Sequence, residues 1–394
     1  MTIYLDHAST TPVRAEVVAA MLPYLTEHFG NPSSAHALGR AARTALDGAH
    51  ERLAAGLRVQ PREVVFTSGG TEANNLALKG AAWAGKARGH RIVTSAIEHH
   101  AVGHTLRYLE KFGFEVVELP VDRYGRLDPD DLAAALTDRT ILVSVMLANN
   151  EVGTIQPIAE IAERVHARPG ILLHVDAVQA APYLDLELDR LGADLVSIAA
   201  HKFEGPKGMG ALYIRHGTHL LAQQHGGSQE RHRRAGTENV AGAVGMAVAY
   251  ELSARDRSET VTRLQTLRHR LQEALLAVPE VELTGHPVDR LPGLLSIVAR
   301  GTDGSAVATA LDLDGIATSI GSACATGSSE VSHVLSAMGY PDDEARAALR
   351  LSLGRTTTAA EIDVALDVVP RTLAAMRLGA AALAGDPLGQ ALRA

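Results

Sequence analysis

Three groups that can do chemistry follow stretches that the sequence predicts to be strands. Lys202 lies in Ala199-Ala200-His201-Lys202, just before the turn Gly205-Pro206-Lys207-Gly208. Asp176 ends a second apolar run, and Gly70-Thr71 opens a helix after a third. A lysine amine can form a Schiff base with a carbonyl compound, and the N-terminus of a helix favours a phosphate. In an open α/β sheet, ligands bind beyond the carboxyl ends of the strands, where all three groups are expected.

Together these groups indicate pyridoxal 5′-phosphate as a cofactor. That cofactor needs a lysine for its aldehyde, a carboxylate for its pyridinium nitrogen and a cradle for its phosphate. Lys202, Asp176 and Gly70-Thr71 supply one of each. Each is unremarkable when taken singly: a surface lysine, a helix cap and an ordinary glycine turn. Their coincidence at one sheet edge favours the cofactor site.

Cys324 is the only cysteine in the chain, and it lies between small residues. Its surroundings read Ser319-Ile320-Gly321-Ser322-Ala323-Cys324-Ala325-Thr326-Gly327-Ser328-Ser329. Glycines permit backbone conformations closed to other residues, so we expect a mobile loop over about residues 319–330 that carries a thiol. The alternative is an inert thiol, because free cysteine is often a small buried hydrophobe.

The elements that must position these groups alternate along the first two thirds of the chain. Short apolar runs separated by helical patterns predict a mainly parallel sheet, since such strands are buried on both faces. The predicted strands are 63–67, 91–95, 114–119, 140–146, 171–176, 194–198 and 210–215. A charged helix over 253–277 should lead into a smaller α+β unit with strands 293–298 and 348–353. We therefore predict a large domain over 15–255 and a small domain made of 1–14 and 256–394.

Composition limits the function further. The chain has 394 residues, 46% of them hydrophobic, and a formal net charge of −8. The acidic balance disfavours direct nucleic-acid binding, although Arg231-His232-Arg233-Arg234 is locally basic. No apolar run reaches the roughly 20 residues that span a membrane. One cysteine and no apparent signal peptide fit a reducing cytoplasm.

The motifs together resemble those of cysteine desulfurases of the iron–sulfur cluster assembly and nitrogenase-maturation type. These are fold-type I pyridoxal phosphate enzymes of the class V aminotransferase group. The similarity runs nearly end to end. It is carried by Tyr4-Leu5-Asp6-His7-Ala8, Phe29-Gly30-Asn31-Pro32-Ser33-Ser34, Val65 to Asn75, Glu98-His99, Asn149-Asn150-Glu151-Val152-Gly153, His174 to Gln179, His201-Lys202, Arg234 to Asn239, Gly321-Ser322-Ala323-Cys324 and Arg350 to Gly354.

The resemblance implies a role for each candidate residue. Lys202 would hold the cofactor as a Schiff base and move the substrate's α-proton, while His99 would stack on the ring and act in acid–base chemistry. Cys324 would take the sulfur. The remaining implied contacts are Asp176 to the ring nitrogen, Asn150 and Gln179 to the phenolic oxygen side, Gly70, Thr71 and His201 to the phosphate, Thr237 to the phosphate from a partner subunit, and Arg350 and Asn31 to the substrate.

The implied reaction converts L-cysteine into L-alanine and leaves a persulfide on Cys324. The sulfur then passes to a protein acceptor, either an iron–sulfur scaffold, a tRNA thiolation enzyme or a DNA sulfur-modification protein. The resemblance also implies a homodimer. It implies no resident metal, and leaves open a transient role for Cys324 as a ligand of cluster iron.

The chain departs from the family's pattern at a few positions, and alternatives remain. Ala199 stands where a phosphate-binding hydroxyl is common, Glu204 where an aromatic residue is common, and Ile320 where a serine is common. A selenocysteine lyase, or another class V transaminase or lyase, is the main alternative. A binding protein without turnover is disfavoured by Lys202 and Asp176 together. A nicotinamide dehydrogenase is disfavoured because no Gly-x-Gly-x-x-Gly follows a first strand.

Overall fold

The chain folds into α/β architecture in a computed structural model that describes residues 2–321 and 331–385, with side chains to residue 378. The strands within these residues are β1 (Ile3–Tyr4), β2 (Val64–Thr67), β3 (Arg91–Ser95), β4 (Glu115–Leu119), β5 (Thr140–Met146), β6 (Leu172–Asp176), β7 (Leu195–Ala199), β8 (Gly210–Ile214), β9 (Val281–Leu283), β10 (Leu294–Ala299), β11 (Ile316–Ala317) and β12 (Ala348–Ser352).

The α-helices in the same part of the chain alternate with the strands up to β8 and then lengthen. They are α1 (Ala15–Met21), α2 (Pro23–Thr26), α3 (Ala37–Leu57), α4 (Gly70–Gly85), α5 (His100–Glu110), α6 (Pro129–Ala135), α7 (Ile158–His166), α8 (Leu188–Leu191), α9 (Gln229–His232), α10 (Val240–Leu276), α11 (Gly304–Leu313), α12 (His333–Ala337), α13 (Asp342–Arg346) and α14 (Ala359–Gly385). Short 3-10 turns cover Pro61–Glu63 and Ala200–Lys202.

The central sheet has seven strands in the order β2-β8-β7-β6-β5-β3-β4. Only β8 runs antiparallel to its neighbours, β2 and β7; the other pairs are parallel. This confirms the predicted mainly parallel sheet, and each predicted strand lies within one residue of the observed bounds. The strands could be predicted accurately because apolar residues occupy both of their faces.

Helices cover both faces of the sheet because successive strand residues point to opposite sides. Val64 and Phe66 of β2 pack into one core with α3, α7 and the first half of α10, while Val65 packs into the other. That second core includes Leu76 of α4 and Leu106 of α5. The two-sided core fixes the carboxyl ends of the strands, where the site forms.

A second, smaller unit is built on an antiparallel sheet in the order β12-β10-β9. Leucines from the second half of α10 share its core with residues of α11 and α14. Helix α10 begins at Val240, earlier than predicted, because its Ala- and Gly-rich first half packs closely on α3 and carries little amphipathic signal. The predicted domain boundary at 255/256 falls within this continuous helix, and the domain division stays a prediction.

The N-terminal segment connects the two units. Leu5 and His7 are hydrogen-bonded through their backbones to Ser352 at the end of β12, and Thr11 donates from its N–H to the His201 carbonyl oxygen at 3.0 Å. Residues 5–11 therefore cross from the small sheet to the turn that bears Lys202. None of the helices in the described ranges combines the length and hydropathy needed to cross a bilayer.

Candidate active site

A cavity of about 260 Å³ lies at the carboxyl ends of the parallel strands. Its walls come from the turns after β2, β3, β5, β6 and β7, from the N-terminal segment and from β12. Nine predicted site residues border it: Gly70, Thr71, His99, Asn150, Asp176, Gln179, His201, Lys202 and Arg350. The fold thus brings together groups that are almost 300 positions apart in the sequence.

One end of the cavity is the N-terminus of α4. Gly69, which precedes the helix, has φ +154°, a conformation that side chains disfavour. A Cβ on Gly70 would lie 2.8 Å from Val178 Cγ2, so a larger residue here would have to displace the Val178 side chain. The first N–H groups of a helix have no partner within it, and they favour an anion together with the helix dipole. Thr71 adds a hydroxyl at the same end.

Lys202 ends the 3-10 turn that follows β7. Its Nζ donates to the carbonyl oxygens of Ala8, at 2.5 Å, and Ser9, at 2.9 Å. These contacts hold the amine at the cavity wall through the N-terminal segment. A lysine in this setting can react with a carbonyl compound bound in the cavity.

Asp176 is only 6% exposed and is fixed by two donors. Asn74 donates from Nδ2 to Asp176 Oδ2 at 2.6 Å, and the Val178 N–H donates to Oδ1 at 3.0 Å. The sequence reasoning gave Asn74 no role, although it lies one turn into α4 after Gly70 and so near the same end of the helix. Asn74 Oδ1 is buried without a hydrogen-bond partner in the described structure, which leaves an acceptor for a ligand.

His99 is both a helix cap and a cavity residue. Its Nδ1 accepts a hydrogen bond from the Ala101 N–H at 3.1 Å, which caps α5. Burial lowers the pKa of His99, although the negative charge of Asp176 raises it. Because Nδ1 is an acceptor, the neutral ring carries its proton on Nε2. The Nε2–H of His99 can therefore donate a hydrogen bond to a group in the cavity while the helix fixes the ring.

Three further predicted residues line the cavity and already make hydrogen bonds within the protein. Gln179 donates from Nε2 to the Ala8 carbonyl oxygen at 2.8 Å. His201 Nδ1 lies 3.2 Å from Thr10 Oγ1, and burial, aided by Lys202, lowers its pKa to about 4. His201 is thus neutral at pH 7, so it can donate a hydrogen bond to a ligand but adds no positive charge. Asn150 contributes its carbonyl oxygen to Arg350.

Arg350 is 1% exposed, and its guanidinium is saturated at both terminal nitrogens. Nη1 donates to the carbonyl oxygens of Asn150, at 2.8 Å, and Gly321, at 3.1 Å. Nη2 donates to Asp6 Oδ1 at 2.9 Å and Ser9 Oγ at 2.8 Å. A carboxylate that binds both Nη atoms must therefore displace at least one of these partners. The sequence did not predict the contacts of Asp6 and Ser9 with Arg350, because more than 340 positions separate them from it.

The chain on either side of Cys324 meets the cavity. The Gly321 carbonyl oxygen accepts from Arg350 Nη1, and Ser332 Oγ donates to Glu151 Oε2 at 2.5 Å. Glu151 is buried and borders the cavity, a role that the sequence reasoning missed. Cys324, with the predicted thiol loop from residue 322 onward, lies outside the described residues.

Two predicted residues lie away from the cavity of this chain. Thr237 is exposed and precedes α10. Asn31 is exposed as well, and its Oδ1 accepts from the Ser33 N–H at 2.9 Å. Neither residue borders the cavity, so their predicted contacts with cofactor and substrate stay predictions.

A group of imidazoles at the cavity edge was not predicted. The His100 ring stacks on His104 at 4.9 Å and lies 4.8 Å from His333, measured between ring centroids. Burial, together with the neighbouring His333 and His104, lowers the pKa of His100 to about 4. Over the described ranges, no group of three or more His, Cys, Asp or Glu side chains could hold a metal ion.

The residues present fit pyridoxal 5′-phosphate. Unpartnered helix N–H groups suit its phosphate, the carboxylate of Asp176 suits its ring nitrogen, and the amine of Lys202 suits its aldehyde. The orphaned Asn74 oxygen beside Asp176 is the kind of buried acceptor that a bound ligand satisfies. Ala199 borders the cavity but offers no hydroxyl, so it would add no donor to a phosphate bound at the N-terminus of α4.

Comparison with known proteins agrees with this geometry. The chain is 48% identical over 375 residues to the cysteine desulfurase IscS of Methanosarcina thermophila, a match that covers 95% of this chain and 93% of that protein. A solved NifS-like protein has a TM-score of 0.90 at 38% identity and covers 95% of this chain and 100% of its own. SspA in complex with cysteine has a TM-score of 0.79 at 32% identity, covering 91% and 100%. The family model for class-V aminotransferases matches residues 3–365, and the chain therefore belongs to the aminotransferase class-V family.

Proposed function

We propose that this chain is a pyridoxal-phosphate-dependent cysteine desulfurase, which removes sulfur from L-cysteine and releases L-alanine. The observation that carries the proposal is that Lys202, Asp176 and Arg350 border one cavity of about 260 Å³. Amine, carboxylate and guanidinium are the groups that the cofactor aldehyde, its ring nitrogen and an amino-acid carboxylate require. Relatives named cysteine desulfurase, and a structure named as bound to cysteine, support the same substrate.

The chain's own residues would hold the cofactor. Lys202 would bind it through Nζ, Asp176 would keep the ring nitrogen protonated, and the α4 N-terminus with Thr71 and His201 would hold the phosphate. Bound in this way, pyridoxal phosphate supplies an electron sink that weakens bonds next to the substrate's amino group. Asn74 would orient Asp176 for this contact through its hydrogen bond at 2.6 Å.

Proton transfer is assigned to Lys202, and a hydrogen bond to the bound ligand is assigned to His99. Lys202 already lies at the cavity wall, with its amine held by two carbonyl oxygens, so it can take the substrate's α-proton. His99 is neutral with its proton on Nε2, because Nδ1 accepts from the backbone. It can therefore donate a hydrogen bond from Nε2 to a bound ligand without leaving its place at the start of α5.

Arg350 would bind the substrate carboxylate. Of its four Nη partners, the Gly321 carbonyl oxygen is the most distant, at 3.1 Å, and is the one we expect a carboxylate to displace. Gly321 leads directly to the segment that carries Cys324.

Cys324 would be the nucleophile that receives the sulfur. Its thiolate attacks the sulfur of the substrate, the bond from that sulfur to carbon breaks, and a proton completes alanine. L-cysteine and the enzyme thiol thus become L-alanine and an enzyme persulfide, with atoms and electrons in balance. The persulfide would then pass its outer sulfur to a protein acceptor of iron–sulfur cluster assembly.

We also propose that the enzyme is a homodimer. The part of the chain between α1 and the start of α3 exposes five large apolar side chains: Val18, Leu22, Leu25, Phe29 and Leu38. A patch of this kind on a soluble chain is typical of a protein interface. A second copy would cover it and could bring an exposed Thr237 to the phosphate of the first copy's cofactor. The single cysteine favours a reducing, cytoplasmic location.

Alanine release from L-cysteine tests the proposal. The wild type should release alanine, Lys202→Ala should not, and Lys86→Ala, which removes an exposed lysine packed on Trp83, should behave as the wild type. Offering L-selenocysteine, and an amino donor with a 2-oxo acid, separates the alternatives. Activity with selenocysteine alone would favour a lyase, and transamination that survives Cys324→Ala would contradict a desulfurase.

A further inference from the structure

Glu204 is a buried carboxylate that has no role in the proposed binding of the cofactor or the substrate. It follows Lys202 by two residues and is 7% exposed. Its φ of +61° lies in the left-handed region, which residues with a Cβ disfavour. A glycine would relieve the backbone at this position, so the glutamate side chain must contribute something that glycine cannot.

The Glu204 carboxylate joins two arginines from different parts of the chain. Its Oε2 lies 2.6 Å from Arg14 Nε and 2.7 Å from Arg355 Nε. Arg14 also binds Asp256 of α10 at 2.7 Å, and Asp256 pairs in turn with the exposed Arg255 at 2.7 Å. The Arg14 side chain is 4% exposed. Without Glu204, a buried guanidinium would face Arg355 with less compensation for its charge.

The backbone at Glu204 is tied to the same N-terminal segment. Its N–H donates to Thr11 Oγ1 at 2.9 Å, and its carbonyl oxygen accepts from the Arg14 N–H at 3.1 Å. A few residues earlier, the Ser9 carbonyl oxygen accepts from Lys202 Nζ. The segment that Glu204 holds is therefore the one that holds the amine of Lys202.

Arg355 links Glu204 to the other side of the cavity. It lies five residues after Arg350, just beyond the end of β12. Glu204 belongs to the turn of the large sheet, so the ion pair spans the two sheets directly behind the site. A second cavity of about 30 Å³ is bordered by Lys202, Glu204 and Arg355, so the ion pair and the amine of Lys202 share its wall.

We propose that Glu204 is a positioning residue that sets the separation of Lys202 and Arg350, and thereby the affinity for an amino-acid carboxylate. It clamps the turn bearing Lys202 to the strand bearing Arg350 through Arg355, and to the N-terminal segment through Arg14. The proposal rests on the function proposed above, since it assumes that Arg350 binds the carboxylate.

The test compares two ligands that share an amine and differ in the carboxylate. L-alanine and ethylamine are titrated into the holoenzyme, and the absorbance of the bound cofactor reports their dissociation constants. Glu204→Ala should weaken L-alanine about tenfold, because small misplacements of a clamp are costly, and leave ethylamine within about twofold. Glu204→Gln, which keeps the shape, should show a smaller loss of the same kind.

Controls separate positioning from folding. Arg355→Gln removes the more exposed partner and should reproduce the selective loss of L-alanine binding, without adding to that of Glu204→Gln. Asp363→Asn removes an exposed carboxylate paired with Arg270 and should change neither ligand. Equal losses for both ligands, or no loss for L-alanine, would overturn the proposal. The dissociation constants of L-alanine and ethylamine are measured without turnover. Failure of this proposal can therefore be distinguished from failure of the proposed function, which would appear as a wild type that does not release alanine from cysteine.

Discussion

Replacing Arg350 with lysine should weaken binding of the substrate more than it slows the chemistry. The guanidinium donates four hydrogen bonds from Nη1 and Nη2, one of them to Asp6 Oδ1 at 2.9 Å. A lysine ammonium keeps the charge for Asp6 but offers no planar pair of donors to a carboxylate. Loss of one hydrogen bond to a charged group costs about 1.5–3 kcal/mol, which is roughly a tenfold to hundredfold loss of affinity.

The assay measures KM and kcat for L-cysteine, together with the dissociation constant of L-alanine. Arg350→Lys should raise KM and the alanine constant by similar factors, while the affinity for ethylamine stays within about twofold. Arg270→Lys, at an exposed ion pair with Asp363, is the matched control. A KM within about twofold of the wild type would refute the assignment of Arg350 to the carboxylate. A melting temperature close to the wild type's would show that the loss of affinity does not come from a loss of stability.

Three further outcomes follow from the geometry. Asn74→Leu should loosen the cofactor, because Asp176 loses its donor at 2.6 Å; faster loss of cofactor absorbance on dialysis checks this, and unchanged retention would contradict it. Burial raises the pKa of Glu98 to about 8 from an ordinary 4.5, so the folded state holds a proton that the unfolded chain releases. The stability from that proton is complete below pH 4.5 and is lost as pH rises towards 8. Glu98→Gln should therefore flatten the fall in melting temperature over this range. An unchanged slope would refute the raised pKa of Glu98. Leu25→Asp with Phe29→Asp should yield monomers in sedimentation, whereas a persistent dimer would place the interface elsewhere.

The sequence predicted the central sheet and the cavity residues that end its strands. Lys202, Asp176 and Gly70 could be found because parallel strands deliver their carboxyl ends to one edge. Strand bounds were accurate for the same reason that the sheet is stable: both faces are buried, so each strand is a continuous apolar run. Helix α10 was predicted too short because its first half is uniformly small and apolar.

The residues that the sequence did not predict act through long-range contacts. Asp6 and Ser9 reach Arg350 across the interface of the two sheets, and no local pattern marks them. Glu204 was visible as an unusual charge, but its purpose depends on Arg14 and Arg355, which only the fold brings together. Such groups are found by following buried charges to their partners rather than by spacing.

The most direct test of the central claim is the intact mass of the purified protein after brief exposure to L-cysteine, beside a Cys324→Ala variant. The account predicts that the parent gains one sulfur atom, that the variant does not, and that alanine appears with the parent. A gain of sulfur on the variant, or no gain on a parent that carries its bound cofactor, would contradict transfer of sulfur to Cys324.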